Sequence, residues 1–96
     1  MDKIILNNNS VYDCVSFALA SVGYLYIRVN MTLAEAATVF GNSEDVSRIE
    51  FHPDAGGDPI CILGFTQLDY IVNEGDCVRV ALKQPVQYGE VQYGNN

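Results

Sequence analysis

The sequence predicts an α+β domain, in which a small antiparallel sheet with its elements in the order β-β-β-α-β-β-β carries one amphipathic helix packed on one face. Three observations lead to this class. Residues 24–29 alternate between aliphatic side chains and aromatic or charged ones, as a half-buried strand does. Residues 32–41 carry the start and stop signals of a short helix. Apolar runs separated by turn-forming residues lie on both sides of these two segments.

Two strands open the chain and form a predicted hairpin. Residues 3–6 and 11–20 are β-prone, and the Asn-rich stretch 7–10 between them tolerates the left-handed backbone of a tight turn. The second strand alternates, which predicts that its larger apolar side chains share one face. These are Val11, Val15, Phe17 and Leu19, with Asp13 at the same spacing.

The third strand, residues 24–29, gives the clearest alternation in the chain. Its aliphatic residues are predicted to face the core, and these are Leu25, Ile27 and Val29. The opposite face then holds Tyr24, Tyr26 and Arg28. Tyrosine and arginine anchor many protein interfaces, so these three are candidate partner-binding residues. Ordinary residues of a half-exposed strand are the alternative interpretation.

One helix is predicted over residues 32–40. Thr32 and Glu35 have the spacing of a capping box, in which each side chain accepts a hydrogen bond from the backbone of the other residue. The residues at the spacing of one helical face are Leu33, Ala36, Ala37 and Phe40. Gly41 follows where a left-handed C-terminal cap is expected.

The second half of the chain contains three further predicted strands. They are residues 48–51, 60–72 and 77–82, with a loop at 52–59 and a hairpin loop at 73–76. Gly64 interrupts the long apolar run 60–72, which predicts one central strand that is bent or bulged at the glycine. Pro85 ends the last strand.

Residues 1–84 are predicted to form a single compact domain, followed by a C-terminal tail over residues 85–96. In the tail, residues 86–89 and 91–94 both read Val-Gln-Tyr-Gly. Two interpretations stay open: a frayed, disordered terminus, or an edge strand that adds to a partner. In the second case Tyr88 and Tyr93 join the candidate partner-binding residues.

The formal net charge of −7 is concentrated in the middle of the chain. Residues 44–76 hold one base, Arg48, and eight acids, which are Glu44, Asp45, Glu50, Asp54, Asp58, Asp69, Glu74 and Asp76. Direct binding of DNA or RNA needs basic groups that release counterions from phosphates, and the 5 lysines and arginines do not provide that footprint. We therefore expect no direct contact with nucleic acid.

Hydropathy and cysteine usage predict a cytoplasmic protein with no membrane partner. The apolar runs are broken every few residues and fall short of the roughly 20 that span a bilayer. The first residues lack the apolar region of a signal peptide. Cys14, Cys61 and Cys77 lie far apart in strand-like contexts, which predicts buried, reduced thiols.

The sequence contains no recognisable constellation of catalytic residues. His52 is the only histidine, so any serine- or cysteine-based mechanism must use it as the base. Its neighbours Asp54 and Asp58 would allow a small metal site, but their spacing matches no established ligand pattern. The chain has neither a P-loop nor a GxGxxG motif. We expect neither enzyme activity nor a cofactor.

Four short strings carry a resemblance to a known group of proteins. They are residues 2–8 (DKIILNN), 31–35 (MTLAE), 64–68 (GFTQL) and 78–82 (VRVAL). Over most of residues 1–83 the chain resembles small proteins encoded by phages and prophages of Gram-positive bacteria. The resemblance implies a non-catalytic role in virus assembly or in interference with the host, and it assigns no functional residue. It also implies a location in the cytoplasm of a bacterial host or in a virion.

Two functions from different classes stay open. The first is a non-catalytic protein–protein interaction module, an accessory protein of the virion or of its assembly, which binds a second copy or another viral or host protein through the tyrosine strand and the tail. The second is an acidic inhibitor that imitates nucleic acid in the basic groove of a host defence enzyme, in the manner of an anti-CRISPR protein. Its contact residues would be Glu44, Asp45, Asp54, Asp58, Glu74 and Asp76. A small enzyme or metal-binding domain is the third possibility.

Overall fold

The computed structural model describes residues 1–85, which form seven strands and one helix. The elements in chain order are β1 (Asp2–Leu6), β2 (Val11–Ala20), β3 (Tyr24–Val29), α1 (Leu33–Phe40), β4 (Arg48–His52), β5 (Ile60–Leu63), β6 (Gln67–Asn73) and β7 (Val78–Lys83). The residues predicted as the tail, with Tyr88 and Tyr93, lie outside the described residues apart from Pro85. Among residues 1–85, no helix has the length and apolarity needed to cross a membrane.

All seven strands belong to one antiparallel sheet. Its spatial order is β5-β4-β1-β2-β3-β7-β6. A small antiparallel sheet with a single helix was predicted, and this coarse architecture is confirmed. The predicted hairpins β1–β2 and β6–β7 are present, and Asn9 in the first turn has the left-handed backbone expected there, with φ of 69°.

Strand β2 joins two halves of the sheet. Its first part pairs with β1, ending at Cys14 opposite Asp2, and its second part pairs with β3 from Cys14 onward. A β-bulge lies between Cys14 and Ser16. Because a bulge adds one residue, the core side of β2 changes from even-numbered to odd-numbered residues, of which Phe17 packs against the core and Leu19 stays 56% exposed. The single apolar face predicted for β2 is therefore wrong: Val11 and Val15 are 55% and 47% exposed.

The predicted central strand over residues 60–72 is also wrong. The segment forms two separate strands, β5 and β6, which lie at opposite edges of the sheet. Gly64 has a positive φ of 87°, a conformation that breaks a strand and that side chains with a Cβ avoid. Only residues 64–66 connect the two strands, so the end of β5 and the start of β6 lie within about 14 Å of each other. The sheet must curl to bring its two edges this close.

Helix α1 begins as predicted. Thr32 is the N-cap, its side chain accepts a hydrogen bond from the Glu35 backbone, and the Glu35 side chain accepts one from the Thr32 backbone. The predicted left-handed cap at Gly41 is wrong, since Gly41 has a right-handed φ of −79° and its N–H donates to the Ala37 carbonyl. The helix packs against β6 and β7 and buries Ala36 and Phe40.

The core lies on one side of the sheet. From the strands it takes Ile4, Leu6, Cys14, Leu25, Ile27, Val29, Ile49, Val78, Val80 and Leu82, and from the helix and loops Ala36, Phe40, Val46 and Phe65. Of the three thiols predicted to be buried, only Cys14 is: Cys77 is half-buried and Cys61 is exposed, and all three are free. The other side of β3 and its neighbours carries tyrosines and arginines.

Candidate functional site

Six residues from four adjacent strands surround a groove on the side of the sheet opposite the core. They are Ser16 and Ala18 from β2, Tyr26 and Arg28 from β3, Tyr70 from β6 and Arg79 from β7. Together they define the tyrosine–arginine groove, with a volume of about 400 Å³. The structure thus places two of the predicted partner-binding residues, Tyr26 and Arg28, in the wall of one cavity.

The strand register explains why a groove forms here. Tyr26 is paired with Ala18 on one side and with Ala81 on the other, and Ala81 is in turn paired with Tyr70. Small and large side chains therefore alternate across the strands, because neighbours directly opposite each other project from the same face. The two alanines leave open space beside the tyrosine rings, and that space is the groove.

Two arginines stand directly opposite each other across strands β3 and β7. Arg28 and Arg79 are Cα partners. Like charges in this position repel each other. Glu74, in the hairpin that follows β6, lies against both: Arg28 Nε donates to its Oε1 at 2.8 Å, and Arg79 Nε is 3.5 Å from its Oε2. The hydrogen bond from Arg28 lowers the pKa of the Glu74 carboxyl, and Glu74 in turn raises the pKa of Arg28.

The guanidinium of Arg79 has spare hydrogen-bonding capacity. Its Nε is shielded from solvent, yet it donates no hydrogen bond to any of residues 1–85, and its nearest acid oxygen is Glu74 Oε2 at 3.5 Å. The Cζ atom lies 5.8 Å from the centroid of the Tyr70 ring, within the range of a cation–π contact. Arg28, by comparison, also donates from Nη1 to the Ser16 hydroxyl, at 3.4 Å.

The tyrosines extend this surface along β3. Tyr24 and Tyr26 stack with their ring centroids 5.7 Å apart and 7° between their planes. Partial burial, and then the proximity of Tyr70, raise the pKa of the Tyr26 hydroxyl. Interaction with the Asp69 carboxylate raises the pKa of the Tyr24 hydroxyl. Both hydroxyls therefore stay protonated at neutral pH and can donate hydrogen bonds.

Four of the six groove residues were not predicted, and these are Ser16, Ala18, Tyr70 and Arg79. They come from strands whose neighbours could not be read from the sequence. The sequence did contain a signal for Arg79, since the alternation of residues 78–82 places it on the face of β7 that points away from the core. Glu74 was predicted as a contact residue of an acidic surface, and the structure instead places it between the two arginines.

The other predicted acidic contact residues lie elsewhere. Glu44 and Asp45 follow the helix, Asp54 and Asp58 lie in the β4–β5 loop, and Asp76 lies in the β6–β7 hairpin. Half of the eight acids of residues 44–76 are paired with a cationic group: Glu50 with Arg48 and His52, Asp54 with the N-terminal amine, Asp69 with Lys83, and Glu74 with the arginines. The structure therefore spreads these acids over three loops and two strands.

His52 lies on β4, where its Nε2 is 2.9 Å from Glu50 Oε1. Strand β1 separates β4 from β2, so the histidine is outside the tyrosine–arginine groove. Within residues 1–85, no three side chains of His, Cys, Asp or Glu come together as metal ligands would.

A second, larger cavity of about 580 Å³ lies between α1 and the start of β2. Its lining includes Tyr12, Met31, Ala34 and Val39. The two acids at its border have local partners: Asp13 forms an ion pair with Lys3, and Glu35 closes the capping box. The chemistry of this cavity is therefore mainly apolar, and the tyrosine–arginine groove is the better candidate site. Comparison with protein-family models, with curated proteins and with solved structures gives no match to this chain.

Proposed function

We propose that this protein is a non-catalytic interaction module that binds a protein partner through the tyrosine–arginine groove. The observation that supports the proposal is the convergence of two tyrosines and two arginines from three strands on one cavity. Tyrosine and arginine are among the residue types that contribute most to binding at protein interfaces, where they fill pockets near the centre of the contact.

The groove is built on paired strands, which favours binding. Strand β3 is paired along its length with β2 and β7, and β7 is paired with β6. The backbone positions of the four anchor side chains are therefore fixed before a partner arrives, so less conformational entropy is lost on association.

Charge also favours a protein partner over nucleic acid. The groove is locally positive, because two arginines meet one glutamate, but the chain as a whole carries a net charge of −7. The protein would repel an approaching polyanion, but it would not repel a protein segment that carries little negative charge.

The proposal is tested by comparing capture of partners by four purified forms of the full chain. They are the wild type, Tyr26→Ala, Arg79→Ala and the control Arg48→Ala. Arg48 is matched to Arg79, since it also lies on a strand and contacts a glutamate, but it is outside the groove. The resemblance to phage-encoded proteins makes a virion component or a second copy of this chain the first partners to test.

We expect a partner, or self-association measured by sedimentation, that is retained by the wild type and Arg48→Ala and weakened at least tenfold in both groove variants. Equal binding by all four forms would contradict the proposal. Binding that is unchanged in the groove variants, but is lost with added salt and on neutralising Glu44 and Asp45, would favour the acidic inhibitor instead.

A further inference from the structure

We infer that the tyrosine–arginine groove binds the side-chain carboxylate of one aspartate or glutamate of its partner, held by Arg79 with help from Arg28. This inference rests on the proposed function, and it goes beyond it by naming the chemical group that is recognised.

The charges inside the groove are not balanced. Arg28 and Arg79 contribute two positive charges, and among residues 1–85 Glu74 is the single acid that forms an ion pair with them. Neighbouring Lys83 and Asp69 form their own ion pair, with 3.6 Å between Nζ and Oδ1, and so add no net charge. One further carboxylate would neutralise the cross-strand arginine pair and remove its remaining repulsion.

The geometry leaves room for that carboxylate on Arg79. A guanidinium has five N–H donors, and the Nε–H of Arg79 donates to none of residues 1–85. Its planar fork matches the two oxygens of a carboxylate, and such bidentate pairs are the stronger class of hydrogen bond. Arg28 is already engaged with Glu74 and Ser16, so we assign it the secondary role.

The tyrosines make this position favourable for an anion. The Tyr70 ring lies within cation–π range of the Arg79 guanidinium, with 5.8 Å between Cζ and the ring centroid. Tyr26 borders the same groove, and its protonated hydroxyl can donate a hydrogen bond to a bound oxygen. Bulky rings also exclude water, which strengthens an ion pair by lowering the local dielectric constant.

The net charge restricts the residues that surround the carboxylate in the partner. With a net charge of −7, the protein repels a segment rich in acids, and this repulsion extends over about 10 Å at moderate salt. We therefore expect a single acidic residue in a segment that is otherwise neutral or basic.

The test uses N-acetylglutamate amide as the probe, because it carries one side-chain carboxylate and no other charge. N-acetylglutamine amide is the matched neutral probe, and inorganic phosphate is the alternative anion. The readout is the NMR shift of the arginine Nε–Hε signals in the full chain. We expect a saturable shift of the Arg79 signal with the glutamate probe, in the millimolar range typical of such small ligands, and no saturable shift with the glutamine probe.

Variants identify the site. Followed on the Arg28 Nε–Hε signal, which both variants retain, Arg79→Gln should weaken binding of the glutamate probe at least tenfold, and the control Arg48→Gln should leave it unchanged. Equal shifts with both amide probes, or tighter binding of phosphate than of the carboxylate, would overturn the inference. The outcome is separable from that of the proposed function: a partner lost in Tyr26→Ala but insensitive to the glutamate probe would leave the interaction module standing and refute only carboxylate recognition.

Discussion

Phe17 and Phe51 stack face to face, with ring centroids 4.8 Å apart and 17° between the ring planes. They belong to β2 and β4, which are not neighbours in the sheet, since β1 lies between them. Strand β1 begins opposite Cys14, and Phe17 lies three residues further along β2. Phe51 is itself the partner of Ile4 in β1, so the stack connects β4 to the second part of β2 across β1.

This stack should contribute to stability beyond the area that each ring buries. We expect a double-mutant cycle with Phe17→Leu and Phe51→Leu, measured by urea unfolding, to give a coupling free energy of about 0.5–1.5 kcal/mol. Phe17→Leu combined with Tyr70→Phe serves as the control, because Tyr70 is on the opposite face of the sheet. Additive effects for the stacked pair would show that the ring contact is energetically unimportant.

The buried end of the helix should be far more sensitive to truncation than its exposed face. Phe40 is 0% exposed and lies in the core cluster, so Phe40→Ala should lower the free energy of unfolding by about 3–5 kcal/mol. Leu33 on the same helix is 46% exposed, and Leu33→Ala should change the free energy of unfolding by no more than about 0.5 kcal/mol. Similar losses in the two variants would contradict the observed packing of α1.

The helix cap gives a second matched pair of variants, both Thr to Ala. Thr32→Ala removes the side-chain acceptor of the capping box and should cost about 1 kcal/mol in urea unfolding. Thr38 lies inside the same helix and its hydroxyl donates to the Ala34 carbonyl, so Thr38→Ala should be neutral or slightly stabilising because alanine has the higher helix propensity. A reversed order of the two effects would count against the capping box.

Local signals predicted local structure well. The capping box at Thr32 and Glu35 and the alternation of residues 24–29 depend only on neighbours in the chain, and the structure has both. The bulge in β2 and the break at Gly64 were misjudged, because each depends on which strands pair and in what register.

The candidate site was predictable only where it depends on a single strand. The shared face of Tyr24, Tyr26 and Arg28 follows from the alternation of one strand, and the structure confirms it. The groove itself needs Arg79 and Tyr70, which reach β3 only through the strand order β3-β7-β6. Composition alone could not indicate that Glu74 would lie between two arginines, since that contact joins residues 46 positions apart.

The three thiols should react with Ellman's reagent in the order of their exposure. Burial, and then the charge of Asp2, raise the pKa of Cys14 to about 12, so almost none of it is the reactive thiolate at pH 8. We expect Cys61 to react within the mixing time, Cys77 more slowly, and Cys14 only when the protein unfolds. The variant Cys61→Ser should lose the fast phase. Labelling of Cys14 in the native protein at the rate of Cys61 would contradict its placement in the core.

The contact of Glu74 with the arginines should make stability depend on pH in a defined direction. The hydrogen bond from Arg28 lowers the pKa of Glu74 below its ordinary value of 4.5. A carboxyl whose pKa is lowered in the folded state contributes its full stabilisation at pH values above its pKa in the unfolded state. The contribution is lost as the pH falls through its pKa in the folded state. Urea midpoints of the wild type should therefore exceed those of Glu74→Gln at pH 7, and the difference should vanish well below pH 4.5.

Asp76→Asn is the control for this comparison, because it removes an equal charge from the same hairpin and Asp76 has no ion pair with residues 1–85. It should not reproduce the loss of stability at pH 7. A gain of stability in Glu74→Gln at pH 7 would contradict the prediction. Such a gain would mean that lowering the net charge of −7 stabilises the protein more than the contact of Glu74 with Arg28 and Arg79 does. The two arginines could then stand opposite each other without a carboxylate to offset their repulsion.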